Sequence, residues 1–280
     1  MKACRRCSRS WCVGVSLALV AAVLVWWEIS WWTLLLVLIA LACPLSALYS
    51  WWVAQQPLVL PDEPAPHTHG MTLNWAAPIY DWYCPKLGLG QAFRDETLQH
   101  AALPEGASVL EVGCGTGVLS RLAAQRVGAA GYVAGIDPAP QMIAIARDYA
   151  RHVATPVEFK LAAIEQLPFD NDRFDVVFAS LMLHHLPPEV KRAGLREVWR
   201  VLKPGGRLVI VDIDRPANRA WWLLFWPLLF MPMTAEQLRG RLPIYLRDAG
   251  FTPVEARGRW MQLLTFWIAT KPATPPGVKP

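Results

Sequence analysis

The stretch Val109 to Gly117, VLEVGCGTG, decides the fold of this 280-residue chain. An apolar run with strand propensity leads into glycines at every second position, and the helix-forming run Val118 to Gln125 follows. Glycine lets the backbone turn sharply, and it lets a ligand approach the main-chain N–H groups without meeting a Cβ atom. The pattern therefore predicts a strand, a tight loop and a helix that together bind a nucleotide-like ligand.

Spacing and charge narrow the choice of ligand. A dinucleotide-binding loop would read G-x-G-x-x-G, but its third glycine position holds Val118, and no Lys-Ser or Lys-Thr pair follows as in a P-loop. Glu111 would repel a pyrophosphate and attract an ammonium group. Asp137 ends a second apolar run, where a carboxylate can accept both hydroxyls of a ribose. A ligand with ribose, adenine and a cationic amino-acid arm fits best, and we expect S-adenosylmethionine.

Further motifs follow the glycine loop in the order of a known family. They are GIDPAPQM from Gly135, EQLPF from Glu165, FDVVFASLMLHHL from Phe174 and LKPGGRLVIVDI from Leu202. With these motifs, residues 80–271 resemble the class I S-adenosylmethionine-dependent methyltransferases. The earlier segment IYDWYCPKLGLGQAFR is similar to the first helix of the ubiquinone and menaquinone C-methyltransferases and of related phospholipid methyltransferases.

The implied fold is α/β, a Rossmann-like, seven-stranded, mostly parallel sheet with helices on both faces. The sequence itself alternates strand-like and helical stretches, which is typical of a parallel sheet covered on both sides. By resemblance, two strand-like runs between Thr252 and Thr270 form an antiparallel hairpin that closes the sheet. Strands are predicted near residues 108–113, 132–136, 156–159, 174–179 and 206–213, and helices over 139–152 and 189–202.

The resemblance also implies a set of cofactor-binding residues. The family usually has an acidic residue two positions before Glu165, to meet the adenine amino group, but this chain has Ala163. Either the affinity for adenine is lower or Glu165 substitutes. Met142 packs on the adenine or ribose, or is an ordinary helix core residue. The expected cofactor-binding residues are Glu111, Gly113, Cys114, Gly115, Gly117, Asp137, Pro138, Met142, Ile164, Glu165, Ala179 and Ser180.

Methyl transfer needs a nucleophile placed in line with the methyl group, and a base if that nucleophile carries a proton. Candidate bases lie where strands end: a histidine pair after the fourth strand, and Asp212 with Asp214 after the fifth. The alternative for the histidines is that one only packs the strand end. Tyr80, on the N-terminal segment, could close over the methyl group. We predict four catalytic residues: His184, His185, Tyr80 and Asp214.

The start of the chain is unusually apolar. Hydrophobic residues make up 54% of the chain and the mean hydropathy is +0.26. Between Trp11 and Leu60 the only charged residue is Glu28, which separates apolar runs over about 11–27 and 31–53. Both can span the hydrocarbon core of a membrane, and tryptophans mark their ends as in interfacial belts. The pattern predicts a transmembrane hairpin. A secretory signal peptide is the alternative, which the second, longer run disfavours.

Charge at the N-terminus predicts the orientation. Four basic residues precede the first run, which places the N-terminus in the cytoplasm, and two spans return the catalytic domain to the same side. We therefore expect a multi-pass protein of the inner (plasma) membrane whose catalytic domain faces the cytoplasm. The predicted organisation is an anchor over 1–54, a Pro-rich linker over 55–70, a methyltransferase domain over 71–271 and a disordered tail over 272–280.

Composition argues against nucleic acid and metal as partners. The net charge is +5, and the first sixty residues hold four basic and one acidic residue, so the rest lacks a basic stripe that could follow a phosphate backbone. Cys4 and Cys7 have C-x-x-C spacing but no further zinc ligands nearby, and His67 and His69 have no carboxylate partners. No metal site is predicted.

One apolar insert follows the fifth strand. AWWLLFWPLLFMPM, Ala220 to Met233, carries no charge and is too short and broken to span a membrane, so we predict a substrate lid or membrane-facing patch, with a buried core helix as the alternative. We expect a membrane-anchored methyltransferase acting on a hydrophobic or lipid-like acceptor, a quinone ring or a phospholipid headgroup. The alternatives are a methyltransferase of a small cytosolic molecule, and an inactive, membrane-tethered cofactor-binding or scaffold protein. The oligomeric state is not predicted.

Overall fold

The computed structural model describes residues 60–153, 155–218 and 229–273, together with Trp52 and Trp222. The strands are β1 (Ser108–Val112), β2 (Tyr132–Asp137), β3 (Glu158–Leu161), β4 (Phe174–Ser180), β5 (Leu202–Ile213), β6 (Val254–Trp260) and β7 (Leu264–Thr270). The α-helices are α1 (Ala77–Tyr83), α2 (Gln91–Ala101), α3 (Val118–Val127), α4 (Pro140–Ala150), α5 (Pro188–Val201), α6 (Pro232–Leu238) and α7 (Leu242–Asp248).

The strands form one seven-stranded sheet in the order β3-β2-β1-β4-β5-β7-β6. The first five strands of that order are parallel, whereas β7 pairs antiparallel with both β5 and β6. This confirms the predicted α/β sheet and its closing hairpin. The strand order reverses between β1 and β4, and in open α/β sheets ligands bind beyond the carboxyl ends of the strands at that point.

Both faces of the sheet are covered. Leu110 and Val112 of β1 belong to one buried apolar cluster, and Val109 belongs to another that includes Ala123 and Val127 of α3. Since successive side chains of a strand point to opposite faces, helices must cover both sides for residues 109–112 of β1 all to be buried. The rigid sheet fixes the loops at its carboxyl edge, where the predicted site residues lie.

Some predicted boundaries were wrong. Strand β3 lies over 158–161 and not 156–159, and β5 starts at Leu202 because Leu202 pairs with Phe174 ahead of an irregularity in the β4–β5 register. The N-terminal segment is also not one helix: α1 ends at Tyr83, and a 3₁₀ turn over Cys84–Leu87 precedes α2. Pro85 lacks a backbone N–H and so favours a break at this point.

Apart from Trp52, the predicted transmembrane hairpin lies outside the described residues, and so does the tail after residue 273. Of the helices that are described, none has the length and apolar character needed to cross a bilayer. Most of the apolar insert, residues 220–221 and 223–228, is also outside the described part. Within its described end, Phe230 is 76% exposed and Met231 is 37% exposed, so these two side chains are not core.

Candidate active site

The glycine loop connects β1 to α3 at the strand-order reversal. Cys114 N donates to Ile136 O at 2.9 Å, which ties the loop to β2. Gly117 has φ +74°, and a Cβ atom there would lie 2.4 Å from Phe159 Cζ, so packing alone excludes a larger residue. At Gly115 a Cβ would point towards Tyr80 and Met142 at 3.8–3.9 Å. The Gly115 main chain is therefore open to a cleft that a ligand can enter.

Asp137 lies at the carboxyl end of β2 and lines this cleft. Its Oδ2 accepts from Gly115 N at 2.9 Å and its Oδ1 accepts from Ala139 N at 2.9 Å. Burial raises the pKa of Asp137 to about 6, although both N–H groups act in the opposite direction. Because each carboxylate oxygen can accept more than one hydrogen bond, two ribose hydroxyls can still bind here.

Glu111 lies in a cavity that adjoins the cleft at Gly113. It is 3% exposed and accepts from Ser120 Oγ, and burial raises its pKa to about 7. Arg94 of α2 lines the same cavity. A carboxylate and a guanidinium in one cavity suit the ammonium and carboxylate of an amino-acid arm. Arg94 was missed by the sequence analysis, although it ends the N-terminal segment quoted for the family resemblance.

Glu165 occupies the far part of the cleft. Thr68 Oγ1 donates to its Oε1 at 2.6 Å, while Oε2 is buried and has no hydrogen-bond partner among the described residues. A buried oxygen without a donor is costly unless a ligand supplies one, and the adenine amino group is such a donor. Ala163 is buried and has no polar side chain. Thr68 was assigned to the linker, and its place in the cleft had no sequence signal.

The remaining predicted cofactor residues divide into three groups. Pro138, Met142, Ile164 and Ser180 line the cleft, and Cys114 lines the adjoining cavity. Met142 is also 2% exposed and packs with Ala77, Ala139 and Ile145, so it is a core residue that also borders the cleft, and its contact with adenine or ribose stays a prediction. Ala179 is a correction, because it is 1% exposed within β4 and lines none of the cavities described here.

A second, apolar cavity of about 510 Å³ adjoins the cleft. The cleft and this cavity share Leu73, Tyr80, Leu181 and His185 as lining residues. Burial raises the pKa of Tyr80 well above its usual value, so its phenol stays protonated and can donate a hydrogen bond. The cavity is lined by Leu73, Tyr80, Tyr83, Cys84, Leu87, Leu89, Leu181, His184, His185, Ile213, Met261, Leu263 and Leu264.

The histidine pair lies between this cavity and β5. His184 Nδ1 is 2.6 Å from Asp212 Oδ1, and Asp212 Oδ2 accepts from His184 N at 3.2 Å. Burial opposes ionisation of Asp212, but the adjacent His184 and the hydrogen bonds to Asp212, including the one from Ile213 N, together outweigh it and lower the pKa of Asp212. An ionised Asp212 fixes the His184 ring and leaves Nε2 as the nitrogen that can accept a proton. Burial lowers the pKa of His185 to about 4, so its ring is neutral at pH 7.

Asp214 is a correction to the predicted catalytic set. It is 5% exposed, its Oδ1 accepts from Arg215 N at 2.7 Å, and it lines none of the cavities described here. The carboxylate that meets a histidine is Asp212, which lies inside β5. No group of three or more potential metal ligands occurs among the described residues, and His67 and His69 stack edge to face at an exposed position.

The sequence of the chain is similar to known methyltransferases. Residues 109–206 match the methyltransferase domain family. The chain is 35% identical over 158 residues to the 2-phytyl-1,4-naphtoquinone methyltransferase of Thermosynechococcus vestitus, over 54% of this chain and 69% of that protein. It is 33% identical over 134 residues to the demethylmenaquinone methyltransferase of Listeria welshimeri, over 48% of this chain and 56% of that protein.

Solved structures share the fold. A SAM-dependent methyltransferase from Aquifex aeolicus superposes with a TM-score of 0.52 at 23% identity, over 63% of this chain and 88% of that one. A phosphoethanolamine N-methyltransferase from Haemonchus contortus, solved with S-adenosyl-L-methionine, gives 0.56 at 16% identity, over 71% and 57%. The sheet order, the glycine loop and the sequence relatives agree, and the chain belongs to the S-adenosylmethionine-dependent methyltransferases.

Proposed function

We propose that this enzyme transfers a methyl group to a ring carbon of a lipid-soluble, reduced quinone. One observation carries the proposal: an apolar cavity adjoins the cofactor cleft at Tyr80 and His185, and it holds a histidine whose ring is fixed by a buried carboxylate. A cavity of this kind accepts a flat aromatic ring and supplies one base to it.

Different residues of the cleft and its adjoining cavity fit different parts of S-adenosylmethionine. Glu111 and Arg94 bind the amino-acid arm. Asp137 binds the ribose, and the buried oxygen of Glu165 accepts a hydrogen bond from the adenine amino group. When bound, the cofactor supplies an electrophilic methyl group. Tyr80 lines the cleft, the adjoining cavity and the apolar cavity, so it lies where the methyl group must pass to the acceptor.

His184 acts as the base. Its Nε2 accepts the proton of a ring hydroxyl, and the resulting phenolate raises the electron density on the neighbouring ring carbon. That carbon forms the new C–C bond as the methyl–sulfur bond breaks. The ring carbon then loses its hydrogen as a proton to solvent, while protonated His184 returns its proton to the ring oxygen, so the aromatic hydroquinone and the neutral base are both regenerated. The 2.6 Å contact with Asp212 stabilises the protonated histidine during the first step.

The cavity lining disfavours a phospholipid headgroup. None of the described residues that line the cavity is lysine or arginine, so nothing there pairs with a phosphate. The relatives named above act on a phytyl-naphtoquinone and a demethylmenaquinone by their names. A lipid-soluble quinone suits both the cavity and those relatives.

The proposal includes membrane attachment through residues 1–54, with the catalytic domain on the cytoplasmic side. The two uncharged runs and the basic N-terminus support it. Fusions of the full chain at its C-terminus should be active with a cytoplasmic reporter and inactive with a periplasmic one. The opposite pattern would contradict the proposed topology.

The chemical proposal is tested with labelled S-adenosylmethionine and a reduced demethylnaphthoquinone. Asp212→Asn should lower kcat by about 10²- to 10⁴-fold, because the amide no longer stabilises the protonated base. Cofactor affinity should not change. The matched variant Asp214→Asn should keep kcat within a few-fold of the wild type. Equal losses in the two variants, or turnover with phosphatidylethanolamine and none with the quinol, would refute the proposal.

A further inference from the structure

Exposed apolar side chains border the mouth of the apolar cavity. Trp82 is 67% exposed, Leu87 is 57% exposed and Met261 is 50% exposed. Leu87 and Met261 also line the cavity, and Lys86 Nζ lies 3.1 Å from the centre of the Trp82 ring, which links Trp82 to this group. We call Trp82, Lys86, Leu87 and Met261 the rim patch. Large apolar side chains grouped at the opening of a binding cavity indicate a contact surface.

Besides Lys86, which belongs to the rim patch, two arginines lie next to it: Arg259 Nη1 donates to the backbone oxygen of Gln262, the neighbour of Met261, at 3.5 Å, and Arg215 contacts Arg259. Lys86, Arg215 and Arg259 are exposed, and within the described part of the chain none of them lies within 4 Å of a carboxylate oxygen. Arg259 Nη1 donates to Arg215 O at 2.8 Å, which holds these two residues together. Tryptophan, aliphatic side chains and unpaired cations side by side are typical of surfaces that bind anionic lipid headgroups.

We propose that the rim patch docks on an anionic lipid bilayer, so that the acceptor cavity opens into the hydrocarbon layer. A protein partner on the same surface would close the mouth of the cavity, whereas a bilayer supplies an apolar acceptor without passage through water. The choice of acceptor rests on the function proposed above. Docking itself depends only on the exposed side chains and the charge around them, so it can be tested without measuring methyl transfer.

The test uses the full chain reconstituted into vesicles of phosphatidylglycerol and phosphatidylcholine, in which part of the phosphatidylcholine carries a diazirine in its acyl chain. After illumination, mass spectrometry maps lipid adducts to peptides. Adducts should form on the peptides that contain Leu87 and Met261. They should be absent from the peptide that contains Ile244, an apolar residue of α7 that is 51% exposed and lies outside the rim patch.

Two variants make the test specific. Trp82→Glu combined with Lys86→Glu should lower the adduct yield at Leu87 and Met261 at least tenfold, and the matched surface variant Ile244→Glu should leave it unchanged. Unaltered binding of S-adenosylhomocysteine, measured by calorimetry, shows that each variant is folded. Vesicles of phosphatidylcholine alone should give fewer adducts.

Several results would overturn the proposal. They are equal labelling of the Ile244 and Leu87 peptides, labelling that the double substitution does not change, labelling that does not depend on phosphatidylglycerol, and a Leu87 peptide protected by a second copy of the chain or by another protein. Failure of quinol methylation with normal labelling would refute the proposed acceptor and leave the docking surface standing.

Discussion

Replacing Glu111 with glutamine should stabilise the protein and weaken cofactor binding at the same time. Glu111 is 3% exposed, and burial raises its pKa from 4.5 to about 7. A tenfold change in an ionisation constant corresponds to about 1.4 kcal/mol, so holding this carboxylate ionised above pH 7 costs the folded protein about 3 kcal/mol. Glutamine has nearly the same shape, and its carbonyl can still accept from Ser120 Oγ, but it carries no charge.

The pH dependence of the effect follows from the direction in which burial moves this pKa. Between pH 4.5 and 7 the folded state binds more protons at Glu111 than the unfolded state does, so the free energy of unfolding falls as pH rises through this window. Glu111→Gln should therefore raise the free energy of unfolding by about 3 kcal/mol at pH 8 and by almost nothing at pH 4.5. In thermal unfolding of the full chain in detergent, followed by circular dichroism, the gain at pH 8 corresponds to a Tm increase of about 6 to 12 °C.

Asp137→Asn is the matched control. Burial raises the pKa of Asp137 from 3.8 to about 6, so removing its charge gives a similar gain. However, both of its oxygens accept backbone hydrogen bonds, from Gly115 N and Ala139 N, and an amide can accept only one of them. Losing one of these hydrogen bonds should cost about 1 to 3 kcal/mol of folding stability, which offsets the gain from removing the charge. Asp137→Asn should therefore show little or no net stabilisation.

The binding arm of the experiment uses calorimetry with S-adenosylhomocysteine. Loss of a hydrogen-bonded charge opposite the ammonium group should weaken affinity by about 1.5 to 3 kcal/mol, which is about 10- to 150-fold. The reasoning is refuted if Glu111→Gln is no more stable than the wild type at pH 8, or if its stability advantage is the same at pH 4.5. Unchanged affinity would remove Glu111 from the cofactor site.

Two further variants test local features of the cleft. Glu165→Gln should lower the affinity for S-adenosylhomocysteine about tenfold and raise the affinity for its inosine analogue, because the amide NH₂ would face the purine. Adding Ala163→Asp to this variant should restore the affinity for the adenine ligand. Calorimetry with both ligands would contradict this prediction if the two affinities change alike. Gly117→Ala should lower the free energy of unfolding by about 3 kcal/mol or more, because the new Cβ would meet Phe159. Gly205→Ala, at φ +79° with open space around it, should lower it by only about 1 to 2 kcal/mol. Equal losses in thermal unfolding would show that the Phe159 contact is unimportant.

Sequence reasoning succeeded where the determinants are local. The glycine loop and the acidic end of β2 follow from the order of residues along short segments of the chain, and the structure brings them together, with Gly115 N donating to Asp137 Oδ2 at 2.9 Å. The alternation of strands and helices followed because each carries its own apolar pattern, whereas the number of strands and the closing antiparallel hairpin were implied by the family resemblance. Boundaries were less accurate, since β5 is extended to Leu202 by pairing with Phe174, which lies 28 positions away along the chain.

The partner of His184 could not be predicted in this way. Asp212 and Asp214 are two residues apart, so strand alternation puts both on the same face and does not distinguish them. The choice depends on the register of β4 against β5, in which Ser180 pairs with Val211. That register brings Asp212 to His184, while Asp214 leaves the strand and its N–H donates to Leu263 O. Thr68 was missed for a similar reason, because it meets Glu165 from 97 positions away.

Three features that weaken the folded protein lie at the cofactor site. Glu111 and Asp137 are buried carboxylates with raised pKa values, and Glu165 has a buried oxygen without a partner among the described residues. Each would be more stable as a neutral group or with a donor, and the cofactor carries the ammonium, hydroxyl and amino groups that satisfy them. Cofactor binding should therefore stabilise the folded chain beyond the contribution of its apolar contacts. Residues selected only for stability would not leave three such groups around one cleft, so their clustering is itself evidence that the cleft still binds its cofactor.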